Sequence, residues 1–170
     1  MSPEPTPREA IRHVLAAYCR GIDRRDRELV RACFHPDATD DHGTGPRPRD
    51  EFLDWCFDLL VGYDSTFHFL GQSTFAFRSA HEAAVETYGI ASHRCVGGPD
   101  HRNLVTGFRY LDTFTHDVSA LVHREASGWR IHRRVSVTDW SRVDRSGDWW
   151  QVPASMLSGR AGPDDPIYQQ

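Results

Sequence analysis

The chain has 170 residues, with 20 Lys and Arg against 24 Asp and Glu, a formal net charge of −4 and 4 cysteines. That length suits one domain with a proper core. The mildly acidic balance offers no electrostatic footprint for nucleic acid, and no run of about 18 apolar residues offers a membrane span.

The opening stretch MSPEPTPREA is polar and Pro-rich without an apolar h-region. Residues 1–7 therefore read as a disordered arm, and a cytoplasmic location is expected. In REAIRHVLAAYCRGI, Ile11, Val14, Leu15, Tyr18 and Ile22 recur at helical spacing, predicting a helix over Pro7–Ile22. Asp23 falls at its C-terminal end, where the helix dipole disfavours a negative charge. Asp26 reads as the N-cap of a second helix, RELVRACF, with Glu28 in its first turn.

HPDATDDHGTGPRPRD then breaks the helix, and a short strand is expected near Ala38–Asp41. The cluster Asp40 to Gly43 has metal-binding residue types but no spaced His or Asp partner set, so no metal site is expected. A third helix, RDEFLDWCFDLLVGY, places Phe52, Trp55, Cys56, Leu59 and Leu60 at helical spacing. The pattern then changes to period two through STFHFLGQSTFAF, EAAVETYGIASHRC, NLVTGFRYLDTFT, VSALVHREA and WRIHRRVSVTDW. Ala126-Ser127-Gly128 reads as a hairpin turn between the last two strands. Helices first and strands later predict an α+β domain over residues 8–142, with helices on one face of a curved antiparallel sheet. Residues 143–170, with Trp149 and Trp150, form a polar, Pro/Gly-rich tail and a possible cap for the pocket. Cys19, Cys33, Cys56 and Cys95 are scattered and read as reduced thiols.

His68 shares a strand face with Thr66 and Leu70, while Phe67 and Phe69 point the other way. A buried carboxylate facing such an imidazole fixes its tautomer and stabilises the imidazolium, which makes a general base. Asp23 and His68 are the candidates for that pair. His93 shares a face with the small residues Thr87, Gly89 and Ala91, which leaves both a pocket and a packing role open. Tyr18, one turn before Asp23, is open between core and pocket wall. On the last strand, Trp129, Ile131 and Arg133 share a face by alternation, while Arg124, His132 and Arg134 fall on a solvated one.

The ordered series AYCRGIDRRDRELVRACFHPDATDDHGTG, FHFLG, ETYGIASH, GFRYLDTF and WRIHRRVSVTDW resembles the SnoaL-like group of the nuclear transport factor 2 (NTF2-like, cone-fold) superfamily. Scytalone dehydratase and bile acid 7α-dehydratase are members of similar pattern. The resemblance covers about residues 8–142. It implies three helices closing a strongly curved, antiparallel or mixed sheet around a pocket, with Asp23 and His68 as a catalytic dyad and His93 as a second histidine. It further implies His42 and Arg133 as substrate contacts; Tyr18 and Asp112 are carried beside them as substrate-binding candidates, with the choice among Asp112, His116 and their neighbours left open. The chain departs at Ile22, where the scytalone enzyme has Tyr, and in a longer stretch between Arg109 and Trp129. The implied activity is a cofactor-independent, dehydratase-like lyase or isomerase acting on a small hydrophobic cyclic substrate, polyketide- or steroid-like. Alternatives are a non-catalytic ligand carrier, the small subunit of a ring-hydroxylating dioxygenase, and an epoxide hydrolase. A homodimer or homotrimer formed through the outer sheet face is also implied.

Overall fold

A computed structural model describes residues 5–95, 102–116, 128–145, 149–150 and 152–169. Helix α1 (Pro7–Arg24) opens on a capping box in which Thr6 and Glu9 exchange hydrogen bonds, with a proline in the first turn. It buries Ala10, Ile11, Leu15, Tyr18, Cys19 and Ile22 in one stripe. It ends where Arg25 takes a left-handed conformation, φ 56°. Asp26 caps α2 (Arg27–Cys33), accepting the Leu29 N–H at 3.0 Å. The two helices approach closely at Gly21, where a Cβ would lie 2.6 Å from Val30.

Strand β1 (Phe34–Asp41) follows directly and is longer than the expected Ala38–Asp41. The two-residue β2 (Arg47–Pro48) leads into α3 (Arg49–Leu60). Four long strands follow among the described residues: β3 (Ser65–Phe77), β4 (Glu82–Arg94), β5 (Arg102–His116) and β6 (Trp129–Arg145), with a 3-10 turn at Pro166–Gln169 beyond them. Among the described residues the sheet has six strands in the order β2-β1-β6-β5-β4-β3. Only the β1–β6 pair is parallel, which makes this the expected antiparallel/mixed sheet. Its strong curvature closes on the three helices, giving the expected α+β half-cone. The expected strand over 118–126 and most of the turn at 126–128 lie outside the described residues.

Two irregularities interrupt the β5–β6 pairing, and the one near Ile131 decides which arginine of β6 faces inward. Pairing with β5 runs Thr113↔Arg133 and then Phe114↔Ile131, so one residue of β6 is extra there. Such a bulge reverses the alternation beyond it. Trp129 and Ile131 point inward as expected, but Arg133 is exposed and Arg134 is fully buried. Both placements reverse the expectation drawn from simple alternation.

The core gathers Ile11, Tyr18, Phe34, Phe52, Leu53, Phe114 and Ile131 between the helices and the concave face. The convex face carries Phe67, Phe69, Tyr88, Ile90 and Trp140, all well exposed. No described helix is long and apolar enough to cross a membrane.

Candidate active site

The last turn of α1 holds the Asp23 carboxylate against β3. Oδ1 of Asp23 lies 2.7 Å from His68 Nδ1 and accepts the Thr66 hydroxyl at 3.2 Å. Oδ2 accepts the His68 backbone N–H at 2.9 Å. The Asp23 and His68 side chains are 9% and 8% exposed, so water screens the contact little. Alternation along β3 makes this possible, because Thr66 and His68 share the face turned toward α1. An ionised Asp23 places the Nδ1 proton between the two groups and leaves His68 Nε2 as the free base.

His93 stands on β4, paired with Thr66, and its ring lies edge-on to His68 at 5.6 Å. Burial, reinforced by the neighbouring His68 and opposed by Asp23, pushes its pKa down to about 4. His93 is therefore a neutral imidazole at neutral pH. Its Nδ1 is buried and has no hydrogen-bond partner among the described residues.

These groups border a cavity of about 140 Å³ inside the cone. Its walls are mostly rings and aliphatic side chains: Tyr18, Trp55, Phe108, Tyr110, Ile22 and Leu60, with His42, His68 and His93 among them. Thr106, Ser136 and Thr138 supply hydroxyls from the sheet. His42 stacks on Phe52 with centroids 5.4 Å apart, and its Nδ1 is hydrogen-bonded to the buried Asp40. Asp41 is a turn former, accepting the Gly43 and Gly45 N–H groups at 2.8 and 3.1 Å. A wider groove of about 490 Å³ between α1 and β3 also borders Asp23 and His68. The rings flanking His68, namely His93 and Phe108, belong to the cone cavity.

Of the residues expected at the site, Asp23 contacts His68, and Tyr18, His42, His68 and His93 share the cavity wall. Asp112 faces inward but does not reach the cavity. Both its oxygens are taken by Arg134, whose Nε and Nη2 donate at 2.8 and 2.7 Å. Arg134 itself lies between the rings of Tyr18 and Tyr110, at 4.2 and 3.8 Å from their centroids. Arg133 borders a depression on the opposite sheet face and is no pocket cation. Asp40, Tyr110 and Arg134 were not read as site residues from the sequence. The one available signal was Asp112, a carboxylate on the same β5 face as Phe108, Tyr110 and Phe114, which requires a buried cation.

Residues 152–169 pack outside the end of α1, where the Gly162 N–H donates to Arg24 O at 2.7 Å and Asp165 pairs with Arg24 at 3.2 Å.

The family described as SnoaL-like domain matches residues 4–135. No curated protein sequence matches the chain. Among solved structures, a candidate scytalone dehydratase from Novosphingobium aromaticivorans is similar over 91% of each chain at 19% identity, TM-score 0.67. The hexachlorocyclohexane dehydrochlorinase LinA-type3 from Novosphingobium barchaimii is similar over 86% of this chain and 94% of that one, at 14% identity and TM-score 0.72. A candidate aromatic ring hydroxylase from Novosphingobium aromaticivorans covers 85% and 98%, at 19% identity and TM-score 0.67. At such identities these structures share the fold.

Proposed function

The chain belongs to the SnoaL-like domain family, and from that premise we propose that it is a cofactor-independent lyase that eliminates a leaving group from a small hydrophobic ring. The observation that carries this is the Asp23–His68 pair bordering an apolar cavity. His68 Nε2 removes a proton from carbon next to a carbonyl, and Asp23 holds the imidazole and stabilises the imidazolium. His93, neutral and with Nδ1 unpartnered, hydrogen-bonds the oxygen on which charge develops. The electron pair of the broken C–H bond forms the double bond, and the leaving group departs with the pair of its own bond.

Cavity size supports a narrower substrate than the sequence resemblance implied. About 140 Å³ is close to the roughly 150 Å³ cavity known to take benzene, so it encloses one six-membered ring. A polycyclic substrate enters by one ring only. Self-association through the convex face, where Phe69 and Ile90 are 61% and 46% exposed, belongs to the same proposal.

The test is alkene formation from small cyclic ketones bearing a β-hydroxyl or β-halide, followed by ultraviolet absorbance. His68→Ala abolishes the reaction, and Asp23→Asn slows it roughly 10³- to 10⁴-fold. Full turnover by both variants would refute the dyad. Saturable binding of such rings without conversion would identify a carrier instead.

A further inference from the structure

The cone cavity is bordered by a second histidine–carboxylate pair. Asp40 is 1% exposed and bonded to Nδ1 of His42, while His42 is part of the cavity wall. Asp40 Oδ2 accepts no hydrogen bond from the described residues. The neighbouring buried carboxylate, Asp112, takes both of its charge-assisted bonds from Arg134, so no arginine hydrogen bond to Asp40 is present among the described residues. Unlike Asp23, which has three donors, the Asp40 carboxylate has His42 as its one hydrogen-bond partner among the described residues, and a second proton on that imidazole would supply the missing counter-charge. Phe52 stacks on the His42 ring, and Trp55 and Tyr110 lie 5.9 and 6.3 Å away, which fixes the ring's orientation. With Nδ1 on Asp40, the remaining polar atom of His42 is Nε2.

The two imidazoles stand at opposite ends of one aromatic ledge. His68 is 6.3 Å from Phe108, and His42 is 6.3 Å from Tyr110. Phe108 and Tyr110 are two residues apart on one face of β5, about 7 Å along a strand. The Phe108 and Tyr110 rings are in contact, centroids 4.6 Å apart, so the two imidazoles border neighbouring parts of one cavity, as a base and an acid acting on adjacent carbons require.

From this juxtaposition we infer that His42, ion-paired with Asp40, is the general acid that protonates a departing hydroxyl, so that the substrate class is a cyclic β-hydroxy ketone. The inference rests on the elimination reading above. Halides leave unaided, whereas hydroxide is a poor leaving group because water's pKa is about 15.7, and a donor there is needed only for dehydration. In the step, His68 Nε2 takes the α-proton and the C–H pair forms the double bond. The C–O pair goes to oxygen, which takes the His42 Nε2 proton and leaves as water. The enzyme ends with His68 protonated and His42 neutral. Solvent resets His42 directly, its side chain being 24% exposed, and His68 through its 8% exposed edge once the product has left.

Two measurements separate this from the base function of His68. Cyclohexanone exchanges its α-protons in D₂O through the base alone, and 3-hydroxycyclohexanone dehydrates only with base and acid together. In His42→Gln and Asp40→Asn, dehydration falls about 100-fold or more beyond any fall in exchange. Imidazole ¹⁵N spectra of the unmodified protein at neutral pH show His42 doubly protonated. Equal losses in both reactions, or a neutral His42 in those spectra, overturn the inference. If the unmodified protein catalyses neither reaction, the base reading fails for this substrate class, and the His42 spectrum still decides the charge state on which the acid role depends.

Discussion

Arg133 and Arg134 are adjacent and chemically identical, yet the bulge on β6 gives their replacement by methionine opposite consequences. Arg134 is fully buried, makes two charge-assisted hydrogen bonds to Asp112 and is sandwiched by Tyr18 and Tyr110. Arg134→Met keeps most of the stem volume but leaves Asp112, 3% exposed, as an uncompensated buried charge. Breaking such a pair from one side costs about 3–5 kcal/mol. A domain of this size has about 5–15 kcal/mol in total and loses about 2–4 °C of Tm per kcal/mol, so Tm falls by about 6–20 °C. Arg133→Met, on the exposed face, changes stability by no more than about 0.5 kcal/mol. Arg134→Met combined with Asp112→Leu removes both charges and recovers most of the loss. Urea unfolding followed by tryptophan fluorescence gives the comparison. A loss below about 1 kcal/mol for Arg134→Met, or a larger loss for Arg133→Met, would refute both the register and the buried pair.

Other perturbations follow from the same geometry. His93 titrates near 4 when folded against an ordinary 6.5, so the unfolded chain binds its proton first as pH falls. Stability from this group is complete above about pH 6.5 and lost toward pH 4, about 3 kcal/mol in all. Urea titrations across that window should be flatter for His93→Gln by this amount. A Cβ at Gly89 would sit 2.4 Å from the Phe108 ring, so Gly89→Ala costs about 1–3 kcal/mol and narrows the cavity. Its Tm and its affinity for cyclohexanone should fall together. Truncation after Arg145 removes the Gly162 hydrogen bond to Arg24 and the Asp165 pair. It should lower Tm by about 2–8 °C in a calorimetric scan.

The elements were legible wherever hydrophobic period spoke plainly. The stripe Ile11, Leu15, Tyr18, Ile22 is the buried face of α1, and STFHFLGQSTFAF is β3 in full. Asp26 caps α2 because its neighbours spell a helix start. The β6 bulge was not legible, because Arg133 and Arg134 are the same residue type and alternation continues smoothly through RIHRRVSV. Strand β1 was only half legible, since FHPDATDD holds a proline and three aspartates. Its pairing with β6 comes from tertiary context, and that pairing buries Asp40 next to His42. Local pattern reports faces, while the partner of a buried charge is set by strands far apart in sequence.

Asp23 illustrates why such partners matter. A carboxylate in the last turn of a helix meets an unfavourable dipole, and burial adds a desolvation cost. Here those costs are offset by three donors, the Thr66 hydroxyl, the His68 N–H and the His68 imidazole, all from β3. Since β3 is an edge strand, those bonds also hold it against α1. From outside, the C-terminal segment holds the same turn through Gly162 and Asp165 on Arg24. The position of the imidazole is therefore set by the same contacts that fasten the sheet edge to the helix. Loosening either side of that turn should disturb the site and the fold together, which is why the Asp23→Asn substitution, keeping shape while removing charge, separates them better than truncation to alanine.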